Sequence, residues 1–183
     1  MNKEKRIVKY KGELDLAGFR LPCYVLEDGT RILSSRSMEN ALKMTAENGE
    51  KERGPRLKRF LTQKSLQPFL YRGNKEGAHF DPIICYDGGT EIRGYEATLL
   101  ADFCGGILEA RRNISLSTRQ TIIAKQCEIL LDAFSKVGII ALVDEETGYQ
   151  YERERDELQK QLQKILGLYY VLEKPKKWQK IFP

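Results

Sequence analysis

Short apolar runs separated by turn residues dominate the first part of the chain. Residues 6–34 contain three such runs, and the pairs Ala17-Gly18 and Asp28-Gly29 separate them. An Asp-Gly pair favours a two-residue hairpin turn, and short runs between turn signals are typical of β-strands. A further hairpin is predicted around residues 82–93, with its turn at Asp87-Gly88-Gly89. The first part of the chain is therefore predicted to be rich in β-structure.

Apolar residues at helical spacing dominate the second part. Ser117 and Gln120 form a capping-box pattern, in which each side chain bonds the backbone N–H of the other residue. Behind it, apolar residues recur at spacings of four and three, which indicates one buried helix face. They are Ile123, Cys127, Leu130, Phe134 and Val137. We expect a central helix over 117–137 that ends near Gly138, and either a strand or more helix over 139–143.

Shorter or more polar helices are predicted elsewhere. The apolar positions favour helices at about 37–44, 56–65 and 95–111, and a last, polar helix at 151–166. The narrow apolar stripe of that last helix either docks on the domain or pairs with a second copy.

Together these elements predict a single α+β domain over residues 1–183. Residues 1–93 are its β-rich part, a β-meander or hairpins with a short basic helix, which packs on a mainly helical part over 94–183. A chain of 183 residues, 41% of them apolar, buries enough surface to fold without a disulfide or metal. No apolar run reaches the roughly 18 residues of a membrane span, and no apolar segment follows the basic start as in a secretory signal. We therefore expect a protein without a membrane partner, in the bacterial cytoplasm.

Charge is unevenly distributed along the chain, which has a net charge of +5. Residues 51–75 contain eight Lys or Arg against the single acid Glu52, whereas 144–157 contain seven acids against two Arg. Such segregation favours one positive face, which attracts polyanions such as nucleic acid; an ordinary solvated surface is the alternative. The apolar residues of the helix at 56–65 are expected to face inward and leave its charges in solvent. The candidate nucleic-acid-binding residues are Arg53, Arg56, Lys58, Arg59 and Lys64.

Catalytic and metal-binding patterns are weak. The four cysteines, at 23, 85, 104 and 127, lack the paired short spacing of a zinc site, and the only histidine is His79 in a Gly-rich stretch. We expect no metal, no cofactor and reduced, buried cysteines. The run from Asp144 to Glu146 is interpreted as a solvated turn. An enzyme stays open as an alternative, with Glu96, Asp102, Glu109 or Asp144 as carboxylates in a cleft.

Several stretches of the chain resemble one known family. They are residues 21–31, 94–100, 131–145, 147–150 and 178–183. They resemble the phage-borne "p-sixty-three C-terminal" domain family, named from a Myxococcus phage protein and found in temperate phages and bacterial genomic islands. The single positions that best match its motifs are Gly94, Tyr95, Glu96, Asp144, Glu145, Gly148 and Tyr149. The resemblance implies an accessory or regulatory phage protein and transfers no catalytic residue.

The sequence thus favours a non-enzymatic, phage-derived accessory or regulatory protein that binds a DNA or RNA backbone through its basic segment. One alternative is a protein-interaction module that binds a host or phage protein. A homodimer formed through the helix at 151–166 belongs to the same alternative.

Overall fold

Five strands form a small closed barrel in the computed structural model, which describes residues 5–16, 19–44, 56–71 and 80–172. The strands are β1 (Arg6–Leu16), β2 (Phe19–Leu26), β3 (Arg31–Ser34), β4 (Ile83–Asp87) and β5 (Thr90–Glu96). Their order around the barrel is β1-β2-β3-β5-β4. All pairs are antiparallel except β1 with β4, whose short parallel pairing joins Arg6 to Cys85 and Ile7 to Tyr86 and closes the barrel. The predicted meander and hairpin are confirmed. The sequence did not predict that these strands close into a barrel.

Six α-helices accompany the barrel in the part of the chain that the structure describes. They are α1 (Ser35–Ala41), α2 (Arg56–Leu61), α3 (Gln67–Leu70), α4 (Leu99–Asn113), α5 (Thr118–Thr147) and α6 (Glu157–Leu172). Strands lie in the N-terminal half and the long helices in the C-terminal half, which confirms the α+β class. Within the described residues, no helix is long and apolar enough to cross a membrane.

The central helix α5 begins as the sequence predicts. The Ser117 hydroxyl accepts a hydrogen bond from the Gln120 N–H at 3.3 Å, and the Gln120 side chain accepts one from the Ser117 N–H at 2.8 Å. Ile123, Cys127 and Leu130 are fully buried. This face therefore lies in the centre of the core, as its four-three spacing indicates.

Several predicted helix boundaries are wrong. Helix α2 ends at Leu61 and not near 65, and α6 continues to Leu172 and not only to 166. Helix α5 continues through Gly138 to Thr147, because Gly148, with a φ of 77°, supplies the left-handed residue that ends a helix. Helix α4 begins at Leu99 and not near 95, because residues 95 and 96 pair with β3. Helix α6 begins at Glu157, after a short 3-10 turn at Tyr149–Tyr151.

The buried core contains side chains from the barrel and from the helices. Ile32 and Leu33 are neighbours in β3, and they point to opposite faces as residues in a strand do. Ile32 packs in a small cluster with Leu26 and Cys85, whereas Leu33 packs in the large cluster with the helices. The barrel is therefore attached to the helical part through one of its two faces.

Helix α6 docks on the rest of the protein. Its Leu162 and Leu166 are buried in the large cluster, and the Tyr170 hydroxyl is hydrogen-bonded to the Gln126 side chain of α5 at 3.2 Å. Of the two alternatives for its apolar stripe, the structure supports docking. The buried part of the stripe is therefore occupied by the protein's own core.

Candidate nucleic-acid interface

Helix α2 directs part of the predicted basic segment into solvent. Leu57, Phe60 and Leu61 are buried, which leaves Lys58 and Arg59 exposed on its other side. Lys64, in the turn that follows, is exposed as well. The predicted orientation is confirmed for these three cations.

The start of α2 is fixed by a neighbouring helix. The carboxylate of Glu39, in α1, accepts a hydrogen bond from the Leu57 N–H at 3.1 Å. This bond satisfies one of the donors that the first turn of a helix leaves without a backbone partner. Glu39 is half-buried, so its carboxylate stabilises the start of α2 and contributes little negative charge to the exposed side of that helix.

The position of the Arg56 side chain contradicts the prediction that all these charges point to solvent. Arg56 is half-buried, and its Nη1 donates a hydrogen bond to the carbonyl oxygen of Met44 at 2.9 Å. A charged donor bonded to a partly buried carbonyl is worth about 1.5–3 kcal/mol. Arg56 therefore anchors the start of α2, and its replacement is expected to cost stability.

A second arginine reaches the same carbonyl. Nη2 of Arg119, in the first turn of α5, also donates to the Met44 oxygen. The side-chain amide of Gln120 donates to the Gln63 Oε1 at 2.7 Å, which ties the segment after α2 to the start of α5. Arg119 thus joins the basic segment from about sixty residues away. Sequence reasoning missed it, because no local pattern indicates that the first turn of α5 lies beside the Met44 carbonyl.

Part of the predicted basic segment lies outside the described residues. Arg53 and the cations at 51, 72 and 75 belong to this part, as does His79. The basic surface is defined here as Lys58, Arg59, Lys64 and Arg119, with Arg56 as its anchor.

The acidic segment lies at the opposite end of α5. Asp144 and Arg119 are separated along the helix by about 38 Å, at about 1.5 Å rise per residue. Near Asp144, the Lys160 ammonium bonds the carboxylates of Glu154 at 2.7 Å and Asp156 at 3.1 Å. The charge segregation of the sequence is therefore a segregation between two ends of the molecule.

Asp144 itself corrects the interpretation of residues 144–146 as a solvated turn. It is only 8% exposed, and its Oδ2 accepts a hydrogen bond from the Arg153 guanidinium at 2.6 Å. Glu145 and Glu146 are exposed. The ion pair holds the chain after α5 against the end of that helix, which is a structural role.

Of the other positions that carry the family resemblance, Gly94 and Gly148 have structural roles. A Cβ on Gly94 would lie 2.5 Å from the Leu33 carbonyl oxygen, so the close approach of β5 to β3 requires glycine there. Tyr95 is buried and Glu96 is exposed. The Gly148 N–H donates to the Glu145 carbonyl at 3.2 Å and closes the end of α5, and Tyr149 is exposed.

The carboxylates of the enzyme alternative are spread over separate elements. Glu96 is in β5, Asp102 and Glu109 are in α4, and Asp144 ends α5. Glu109 lies 3.6 Å from the Arg112 guanidinium, and Asp144 is bonded to Arg153. Among the residues that the structure describes, no group of three or more His, Cys, Asp or Glu is arranged to hold a metal ion.

All four cysteines are free thiols in the structure, and Cys85, Cys104 and Cys127 are buried as expected. Cys23 is only half-buried, which corrects the expectation for that residue. Burial raises the pKa of Cys104, and hydrogen bonding to Cys127 on the facing helix raises it further. Burial also raises the pKa values of Cys23 and Cys85. Raised pKa values keep these groups as thiols, which are poor nucleophiles and poor metal ligands.

Comparison with known protein families, with curated proteins and with solved structures finds no match.

Proposed function

We propose that this protein is a non-enzymatic, phage-derived regulatory protein that binds the backbone of DNA or RNA through its basic surface. The observation that carries the proposal is the meeting of cations from two distant segments. Lys58, Arg59 and Lys64 come from α2 and the turn after it, and Arg119 comes from the start of α5. The family resemblance is consistent with a regulatory role, and action in the bacterial cytoplasm is part of the proposal.

The hydrogen bonds beneath the surface support a fixed arrangement of these cations. Arg56 and Arg119 share the Met44 carbonyl, and Gln63 is bonded to Gln120. Cations on a rigid support lose less conformational entropy when they bind a phosphate than cations on a free loop. The arrangement therefore suits repeated phosphates better than a scattered basic surface does.

The overall charge distribution favours the same interpretation. The acidic segment lies at the far end of α5, so a polyanion is attracted to one end of the protein and repelled from the other. Lys and Arg side chains that contact phosphates position a protein on nucleic acid without reading sequence. The proposal is accordingly backbone binding without base specificity.

Charge reversal at the two exposed lysines tests the proposal. The Lys58→Glu/Lys64→Glu variant and the wild type are compared for binding to fluorescently labelled DNA and RNA duplexes at low salt. Arg56 is left intact because its reversal would break the hydrogen bond to Met44. We expect the variant to lose affinity for all duplex sequences alike, by about tenfold or more for two phosphate contacts.

A matched control separates local contact from total charge. Lys9→Glu/Lys164→Glu makes the same change in net charge, from +5 to +1, at exposed sites outside the basic surface. The control is expected to bind more tightly than the Lys58→Glu/Lys64→Glu variant. Equal binding by the two variants would show that these lysines are not contacts, and undetectable binding by the wild type would overturn the proposal.

A second candidate function, a protein-interaction module, is favoured by a different observation. The C-terminal half of α5 exposes several large apolar side chains, and the contact of these side chains with water is energetically unfavourable. These side chains lie about 30 Å along the helix from Arg119, so the two functions use different surfaces.

A further inference from the structure

Helix α5 exposes an apolar face near its C-terminal end. Ile139 and Leu142 are each 63% exposed, and Val143 is 55% exposed. Their spacings of three and four residues place them on one side of the helix. Three large apolar side chains together on one helix face form a contiguous apolar patch, and the largest such patch on a protein is often an interaction site.

The lengths of the helices explain why this face is uncovered. Helix α5 has 30 residues and α4 has 15, so they are about 45 Å and 22 Å long. The two are joined by a short turn and held by the Arg111–Glu128 ion pair at 3.1 Å, so α4 runs back along the first half of α5 only. The second half of α5 extends beyond α4.

Helix α6 and the turn before it cover the other side of this extension. Asp144 is buried there against Arg153, and Ile140 and Ala141 are half-buried. The side that carries Ile139, Leu142 and Val143 faces away from this contact. The exposed face is defined here as these three residues.

Charged residues at the two ends of the exposed face indicate its occupant. Lys136 lies one turn before it and Glu146 lies one turn after it, and both are exposed. The Lys136 ammonium bonds the Asp132 carboxylate at 2.6 Å and has further N–H donors for a second carboxylate. If two copies cross in antiparallel orientation between Ile139 and Val143, Lys136 of each copy lies beside Glu146 of the other. The face is therefore complementary to itself, as a two-fold interface requires.

We propose that the exposed face of α5 binds the same face of a second copy and forms a weak antiparallel dimer. The proposal names the partner for the second candidate function, the interaction module, and does not depend on nucleic-acid binding. A contact of three apolar residues per copy belongs to the small, transient class of interfaces, below about 1,200 Å² in total. The dimer is accordingly expected to form at high protein concentration.

Sedimentation velocity across a wide range of protein concentrations tests the dimer, with Ile139→Glu as the disruptive variant. Ile122→Glu is the matched control, because Ile122 is 48% exposed on the same helix, about 25 Å away. We expect the wild type and the control to dimerise and Ile139→Glu to stay monomeric. A wild type that is monomeric at every concentration, or a dimer that survives Ile139→Glu, would overturn the proposal.

A charge swap tests the antiparallel orientation. In the dimer, Glu146→Lys alone places a lysine beside Lys136 of the other copy at both ends of the interface. This repulsion is expected to weaken the dimer about tenfold. Because Lys136→Glu also removes the bond to Asp132, this single variant is measured as well. The double variant Lys136→Glu/Glu146→Lys restores opposite charges and should dimerise more strongly than either single variant, whereas failure to do so would contradict the antiparallel arrangement. None of these variants changes the basic surface. Measuring nucleic-acid binding by the same proteins therefore tests the proposed function independently of the dimer.

Discussion

Two adjacent glycines in α4 are expected to respond oppositely to alanine. A Cβ on Gly106 would lie 2.9 Å from the Phe69 carbonyl oxygen and 3.1 Å from the Leu70 Cα, because α3 packs closely against α4 there. A Cβ on Gly105 would meet nothing within 4 Å. In a helix interior, alanine is about 1 kcal/mol more favourable than glycine, so Gly105→Ala should raise stability by up to about that amount.

At Gly106 the same gain is opposed by overpacking. Forcing extra atoms into a closely packed contact costs about 1–3 kcal/mol, and two of the three nearest atoms are backbone atoms that cannot rotate away. Since the helix-propensity gain is common to both variants, the difference between them reports the contact alone. We expect Gly105→Ala to be more stable than Gly106→Ala by about 1–3 kcal/mol.

Urea denaturation of the two variants measures this difference, provided that the slope of unfolding free energy against urea stays constant. The close approach matters for the basic surface, because α3 follows directly after the turn that contains Lys64. If the two variants are equally stable within about 0.5 kcal/mol, the packing of α3 on α4 described here is wrong.

Two further predictions concern the core. Leu130→Ala should lower the free energy of unfolding by about 2–5 kcal/mol, because Leu130 is fully buried. Leu142→Ala, at an exposed site, should change it by no more than about 0.5 kcal/mol. Urea titrations that give similar losses for the two variants would contradict the assignment of Leu130 to the core. The pKa of Cys104 is raised in the folded protein above the unfolded value of 9.0, so the unfolded state releases this proton first and stability falls as the pH rises above 9.0. Urea midpoints measured across that pH should decline less in Cys104→Ala than in the wild type, and parallel declines would contradict a buried thiol at this position.

Local signals predicted much of this fold. The capping box at Ser117 and the apolar spacing after it act within a few turns of one helix, and α5 begins and packs as they indicate. The turn at Gly88 and Gly89, whose φ values are 53° and 92°, follows from the ability of glycine to adopt positive φ. Such features depend on interactions between residues that are close in the sequence, so they can be predicted from one sequence.

Features that depend on tertiary contact escaped prediction. The sequence predicts that α5 ends at Gly138, but one glycine inside a helix costs only about 1 kcal/mol. The Asp144–Arg153 ion pair holds the end of the longer helix, and that partner is not visible in the local pattern. The parallel pairing of β1 with β4 joins segments almost eighty residues apart, and no local pattern indicates it.

The candidate site was predictable in part for the same reason. Lys58, Arg59 and Lys64 follow from the buried face of α2, whereas the inward turn of Arg56 and the approach of Arg119 depend on the position of the Met44 carbonyl. Asp144 was misinterpreted because its partner, Arg153, lies on the turn that folds back on the end of α5.

The salt dependence of nucleic-acid binding tests the central claim most directly. The logarithm of the binding constant should fall linearly with the logarithm of salt concentration, with a slope of about −0.9 for each phosphate contacted on duplex DNA. For the four cations of the basic surface we predict a wild-type slope of about −3 to −4, and a slope smaller in magnitude by about 2 for Lys58→Glu/Lys64→Glu. No measurable binding at low salt, or the same slope for both proteins, would contradict the claim that this surface binds a nucleic-acid backbone.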